Sequence, residues 1–152
     1  MTTDMMSEEQ YDAETHSHVA LVQQRLLRVQ DELRYRGLVH DFSKSCEPER
    51  SGFRRIAGVQ YGTPEYEALL NEGFVQHHYA WNGHHPEHYA NGVAGMSLLD
   101  VVEMLCDWSA ASEQRMGKKL SEAGTLQKSF ERFNIEPQLA AIILNTVKEL
   151  EW

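Results

Sequence analysis

A chain of 152 residues with 41% hydrophobic and 24% charged side chains matches an ordinary globular domain and excludes a disordered or fibrous protein. Its net charge of -9 excludes a long nucleic acid as the expected partner, because the phosphates are repelled unless a local basic strip prevails. The two cysteines, Cys46 and Cys106, form neither a zinc-ribbon spacing nor a disulfide framework, which implies a reducing compartment.

Residues 1–13 are polar and acidic, lack the basic start and apolar stretch of a signal peptide, and read as a flexible N-terminus ahead of a single domain over 14–152. No apolar run approaches the ~20 residues needed to cross a bilayer, so the expectation is a cytoplasmic protein without a membrane partner. From Glu14 to Arg36, Val19, Val22, Leu26, Val29 and Leu33 recur at steps of three and four and define one face of a helix, with Gly37 as its stop. Leu38 to Lys44 reads as a short helix or turn, and the polar stretch Ser45 to Gly62 as a loop or lid. Thr63, Pro64 and Glu65 carry a helix-start signature, and Tyr66, Leu69, Leu70, Phe74 and Trp81 continue the helix to a stop at Asn82 and Gly83. His84 to Gly95 reads as a loop. Ser97 caps a strongly apolar helix bearing Leu98, Val101, Val102, Leu105 and Trp108, the expected core helix. Leu126 to Phe133 and Glu136 to about Glu149 complete an all-α domain of about five to six helices, with no strand or internal repeat. In the last helix Ile142, Ile143 and Leu144 exceed one stripe, which fits either a homo-oligomer interface or an extended core.

All eight histidines lie between positions 16 and 88, and five of them between His77 and His88. Neutral imidazoles beside carboxylates suit zinc, iron, manganese and similar ions without selecting one. Asp100, Glu103 and Asp107 line one side of the core helix at steps of three and four. Such a stripe is often a solvated face, but Asp107 sits beside Cys106 and Trp108, where a buried carboxylate needs a partner or a metal. His40 and Asp41 place two more ligand-type groups between Leu38, Val39 and Phe42. In the loop, His84, His85, Glu87 and His88 are dense enough for acid-base work, with Glu87 as general acid or base or as an orienter of an imidazole. Lys44 reads as a phosphate contact or an ordinary surface lysine. Arg50, Arg54 and Arg55 read as a phosphate grip or a solvated loop.

The order His18, His40, Asp41 and Asp107, with a histidine cluster between, resembles the HD superfamily of metal-dependent phosphohydrolases. More closely, GLVHDFSK at 37–44, HHYAWNGHHPEHY at 77–89 and VVEMLCDWSAAS at 101–112 look like an HD-like phage and bacterial family of unknown function. The resemblance covers about residues 14–133. It implies an all-α fold of the HD type and one divalent ion (Mn, Co, Zn, Fe or Mg) held by His18, His40, Asp41 and Asp107. A second ion would draw on His77 or His78 and on His84 or His85; the apolar stripe favours His77 as a core residue, the family pattern His78 as a ligand. The function it implies is hydrolysis of a nucleotide, most simply a deoxynucleoside mono- or triphosphate, by a metal-activated water. Lys44, Arg54 and Arg55 would then grip phosphate, Trp81 would stack on a base, and Glu87, His84 and His85 would move protons. Two other functions fit the same residues: a phosphodiesterase on a cyclic or signalling nucleotide, and a non-catalytic metal- or nucleotide-binding module.

Overall fold

The computed structural model describes residues 5–60 and 62–152, and the elements within them are all helical. Residues 1–4, part of the expected flexible N-terminus, lie outside the described residues. By its contacts the chain divides into two units, one ending at Val39 and the other running from His40 to Trp152.

The first unit carries α1, Glu8–Val39. Ser7 Oγ accepts from the backbone N–H of Gln10, Glu8 and Glu9 face the positive end of the helix dipole, and Arg36 faces the negative end. The helix thus starts earlier than its apolar stripe suggested and runs through Gly37. It ends at Val39, just before Asp41, whose φ of 56° is left-handed. Aspartate tolerates that region better than most residues, so the turn falls there and Gly37 is not used as a stop.

The second unit begins with a 3-10 turn over Phe42–Ser45, and then departs from expectation twice. The stretch read as a loop holds α2, Glu49–Ile56, because its polar sequence hides a one-sided face: Glu49, Gly52 and Ile56 are buried and Phe53 half-buried. Gly52 is required there. A Cβ would lie 2.2 Å from Cγ of Phe74, so the aromatic ring of a later helix seats directly on the α2 backbone. The long helix expected from Thr63 to Asn82 is two, α3 at Pro64–Leu70 and α4 at Phe74–Trp81. Thr63 accepts from Tyr66 N–H as the cap of α3, and Gly73, at φ 90°, turns the chain between the two helices. Ile56, Leu69, Phe74 and Val75 form the apolar cluster that holds α2, α3 and α4 together. Trp81, expected on that face, is 71% exposed.

After short 3-10 turns at Pro86–His88 and Gly92–Gly95, α5 spans Leu98–Met116. It starts in a full capping box, Ser97 with Asp100, and ends at Gly117 in the left-handed conformation. α6 covers Thr125–Arg132 and α7 Pro137–Glu149, the latter opened by proline at its first position. Val101, Met104 and Leu105 of α5 pack with Leu120, Leu126, Phe130, Ile135, Ile143 and Val147 in the larger core. Burying each such side chain contributes about 1.5–3 kcal/mol before the entropy cost of folding, which makes this cluster the anchor of α5. Leu98 lies outside it, at 78% exposed. Ile142 and Leu144 flank the buried Ile143 at 54% and 50% exposed. Among the described residues no helix is long and apolar enough to cross a membrane.

Candidate metal centre

Four segments of the second unit supply the site. The left-handed turn at Asp41 sets His40 and Asp41 before the Phe42–Ser45 turn. α4 carries His77 and His78. The tight turn that follows, in which His85 N–H donates to the Asn82 carbonyl (3.2 Å), presents His84 and His85. α5, held by its core, carries Glu103 and Asp107 one turn apart on one face.

Asp41 is the hub. Its Oδ1 lies 3.4 Å from His78 Nε2 and 3.5 Å from His84 Nε2, and its Oδ2 lies 3.6 Å from His40 Nε2. His78 Nε2 also faces His85 Nε2 at 2.9 Å, and His40 Nε2 lies 3.6 Å from Asp107 Oδ1. Two overlapping sets of ligand-type atoms result, Asp41 with His78, His84 and His85, and His40 with Asp41 and Asp107. In each set the atoms lie within 4.8 Å of one another. Two atoms at the hub, Asp41 Oδ1 and His84 Nε2, are buried and make no hydrogen bond. A buried acceptor without a partner costs about 1–3 kcal/mol, and more when charged. A divalent cation would satisfy both atoms at once, and the donor set of imidazole nitrogen and carboxylate oxygen is one such ions accept. The residues therefore fit a metal.

A third grouping, His40, His84 and Glu103, does different work. Glu103 Oε1 accepts from Nδ1 of His40 (3.0 Å) and lies beside Nδ1 of His84 (3.2 Å). A proton held on His40 Nδ1 leaves its Nε2 to face the hub, the usual arrangement when a carboxylate orients a ligating histidine. Asp100, third of the acidic stripe, stays out of the centre: it closes the α5 capping box and accepts from the Tyr89 hydroxyl at 3.0 Å.

The electrostatics follow from this crowding. The Asp107 carboxylate 3.6 Å away, helped by Glu103 and Asp41 against the cost of burial, raises the His40 pKa to about 9. Burial, with the charges of His84 and His78, pushes His85 down to about 3, so it is a neutral imidazole near pH 7. Burial and the charge of His40 also lower His84. For Asp41, burial favours the neutral acid, but the Lys44 ammonium with His40 and His78 overturns it and holds the carboxyl below its ordinary value. Asp107 is held low in the same way, burial being outweighed by His40, His84 and His85.

Not every residue marked out from the sequence joins the centre. His77 turns its Nδ1 to Glu49 (2.7 Å) and stacks on Trp81 with ring centroids 5.9 Å apart. Glu87 is held by Arg132 at 2.7 Å, and His88 Nδ1–H donates to the Tyr79 carbonyl at 2.9 Å. Arg55 pairs through both terminal nitrogens with Glu72. Arg54 is exposed on α2. Lys44 sits beside the hub, bonded to Asp41 Oδ2 at 2.5 Å and 4.9 Å from the centre of the Phe53 ring. His18 lies on α1 of the first unit. Two residues absent from the expected site belong to it, Glu103 and Glu49. Glu103 was marked by the acidic stripe alone. Glu49 had a signal of its own: with Gly52, Phe53 and Ile56 it shares one helical face, and an acid set in such a face is buried only with partners.

A family model described as "Family of unknown function (DUF5662)" matches residues 7–149. No curated protein and no solved structure matches the chain. The family match runs from the start of α1 to the last residue of α7 and takes in every residue of the centre, so the chain belongs to this family of unknown function, DUF5662.

Proposed function

We propose that the chain is a metal-dependent phosphohydrolase of the HD type acting on a nucleotide. The observation that carries this reading is the pair of buried, unpartnered atoms at the hub, Asp41 Oδ1 and His84 Nε2, surrounded by further Nε2 atoms. Asp41, His78, His84 and His85 would hold one divalent cation, with His40 and Asp107 on the other oxygen of Asp41 as the place for more coordination or a second ion. Manganese, cobalt, zinc, iron and magnesium are all candidates for such a donor set. The HD resemblance supplies the nucleotide substrate.

A bound cation supplies Lewis acidity, acidifying water and polarising a phosphoryl oxygen. The side chains do the rest. Glu103 holds a proton on Nδ1 of His40. His85 is a neutral imidazole at pH 7, the charge state in which a histidine ligates a metal. His40 carries an extra proton near neutrality and gives it up when a cation takes its place, so metal uptake releases a proton. Lys44, 40% exposed at the edge of the hub, can exchange Asp41 for a substrate phosphate. The exposed Trp81 ring offers a base a surface to stack on. Arg55, neutralised by Glu72, contributes less.

The test is a phosphate-release screen over deoxynucleoside mono- and triphosphates and cyclic nucleotides, with each metal supplied in turn. Metal-dependent release that Asp107→Asn abolishes while the fold is kept supports the reading. A protein that contains no metal, takes up none by elemental analysis and releases no phosphate refutes it.

A further inference from the structure

Glu49 is fully buried, at 0% exposed, yet it is an acid on a short helix and none of the groupings at the hub includes it. Three donors converge on it: His77 Nδ1 on Oε1 at 2.7 Å, and His78 Nδ1 (2.8 Å) and Ser43 Oγ (2.7 Å) on Oε2. Burial works against its charge, and these hydrogen bonds outweigh burial and hold its carboxyl below the ordinary value. A buried carboxylate is tolerated only when its lone pairs are filled, and these three donors fill them.

Counting protons around it assigns the His78 tautomer. The Asn82 side-chain amide has two N–H bonds and three neighbours, Ser43 Oγ (2.8 Å), the His78 carbonyl (2.7 Å) and His78 Nδ1 (3.0 Å), and its two protons go to the two nearer, oxygen acceptors. The Ser43 hydroxyl has one proton, and it goes to Glu49. Neither Ser43 nor Asn82 has a proton left for His78 Nδ1, and a carboxylate has none, so Nδ1 must bear its own and donate it to Glu49. His78 Nε2 then presents a lone pair to Asp41 Oδ1 and His85 Nε2.

We infer that Glu49 is a positioning residue, which fixes His78 with its proton on Nδ1 and its Nε2 lone pair aimed into the hub. The inference rests on the metal reading above and extends it: Glu49 on α2 does for His78 what Glu103 on α5 does for His40. Two carboxylates from different helices thereby orient two Nε2 atoms toward one aspartate.

The decisive measurement is a long-range proton–nitrogen correlation spectrum of the histidine rings in labelled, chelator-treated protein, with His78 assigned by its loss in His78→Gln. The expected result is His78 protonated on Nδ1 alone; protonation on Nε2 alone overturns the inference, and neither needs a Glu49 variant or a bound metal. In Glu49→Gln, one acceptor oxygen replaces two while three donors remain, so His78 should lose its single tautomer. Zinc affinity should then fall by about 10–100-fold, the usual effect of removing a residue that orients a ligand. Folded Glu49→Gln protein that binds zinc as tightly as the wild type overturns the inference. If Glu49→Gln does not fold, the wild-type spectrum decides. A wild type that takes up none of the candidate divalent metals refutes the metal reading, and the same spectrum still decides the role of Glu49.

Discussion

Removing metal with a chelator and varying pH isolates His40. Its pKa is about 9 in the folded protein against an ordinary 6.5, so between those values the native state binds a proton that the unfolded chain has released. Stability then falls with rising pH, because stability rises only where the unfolded state binds more protons. The contribution of His40 is complete below pH 6.5 and is lost as pH rises through about 9. At about 1.4 kcal/mol per pH unit this amounts to about 3 kcal/mol. The side chain is 27% exposed, so solvent screening removes only part of that. Other groups leave the window clear. His84 and His85 are lowered, and their contributions are complete above 6.5. Asp41, Asp107 and Glu49 change only in the acid range. Burial and the charge of Glu103 raise the Cys106 thiol above its ordinary 9.0, beyond the window. Urea unfolding at a series of pH values reads the slope directly. His40→Gln should flatten it, and so should saturating zinc, which replaces the proton. A wild-type curve that is flat across the window, or a slope that survives His40→Gln, refutes the electrostatic account of the centre.

Three further outcomes are expected. Asp41→Asn removes the charge at the hub, and zinc uptake measured by equilibrium dialysis should fall by more than the roughly 10–100-fold typical of losing an outer partner; uptake like the wild type's counts against the hub. Gly52→Ala places a Cβ where the Phe74 ring sits. The overpacking cost of about 1–3 kcal/mol should exceed the gain of about 1 kcal/mol in helix propensity, and a higher urea midpoint would refute close packing of Phe74 on Gly52. Ile143→Ala, at a side chain 1% exposed, should cost about 2–5 kcal/mol, and a loss under 1 kcal/mol would mean that α7 is not anchored there.

Local chemistry made much of this molecule readable from its residues. Ser97, Pro64 and Pro137 announce helix starts because the backbone groups they serve lie within a turn of them. Asp107 stands out because its neighbours are apolar, and His40 with Asp41 because they interrupt an apolar stretch. The break between α3 and α4 was also local: Asn71 and Gly73 mark it, but the apolar residues on both sides suggested one continuous face. Three-dimensional neighbours settled the remainder. His77 and His78 are adjacent and chemically identical, yet only His78 is buried, at 3% exposed, with its Nε2 on Asp41, while His77 stacks under Trp81. Glu49 gains its meaning from His77 and His78, and Glu103 from His40, partners that lie 28, 29 and 63 positions away along the chain. Periodicity tells which side of a helix is turned inward; it carries no information about the residue waiting on the other side, and it is that residue that makes a carboxylate an orienter, a cap or a ligand.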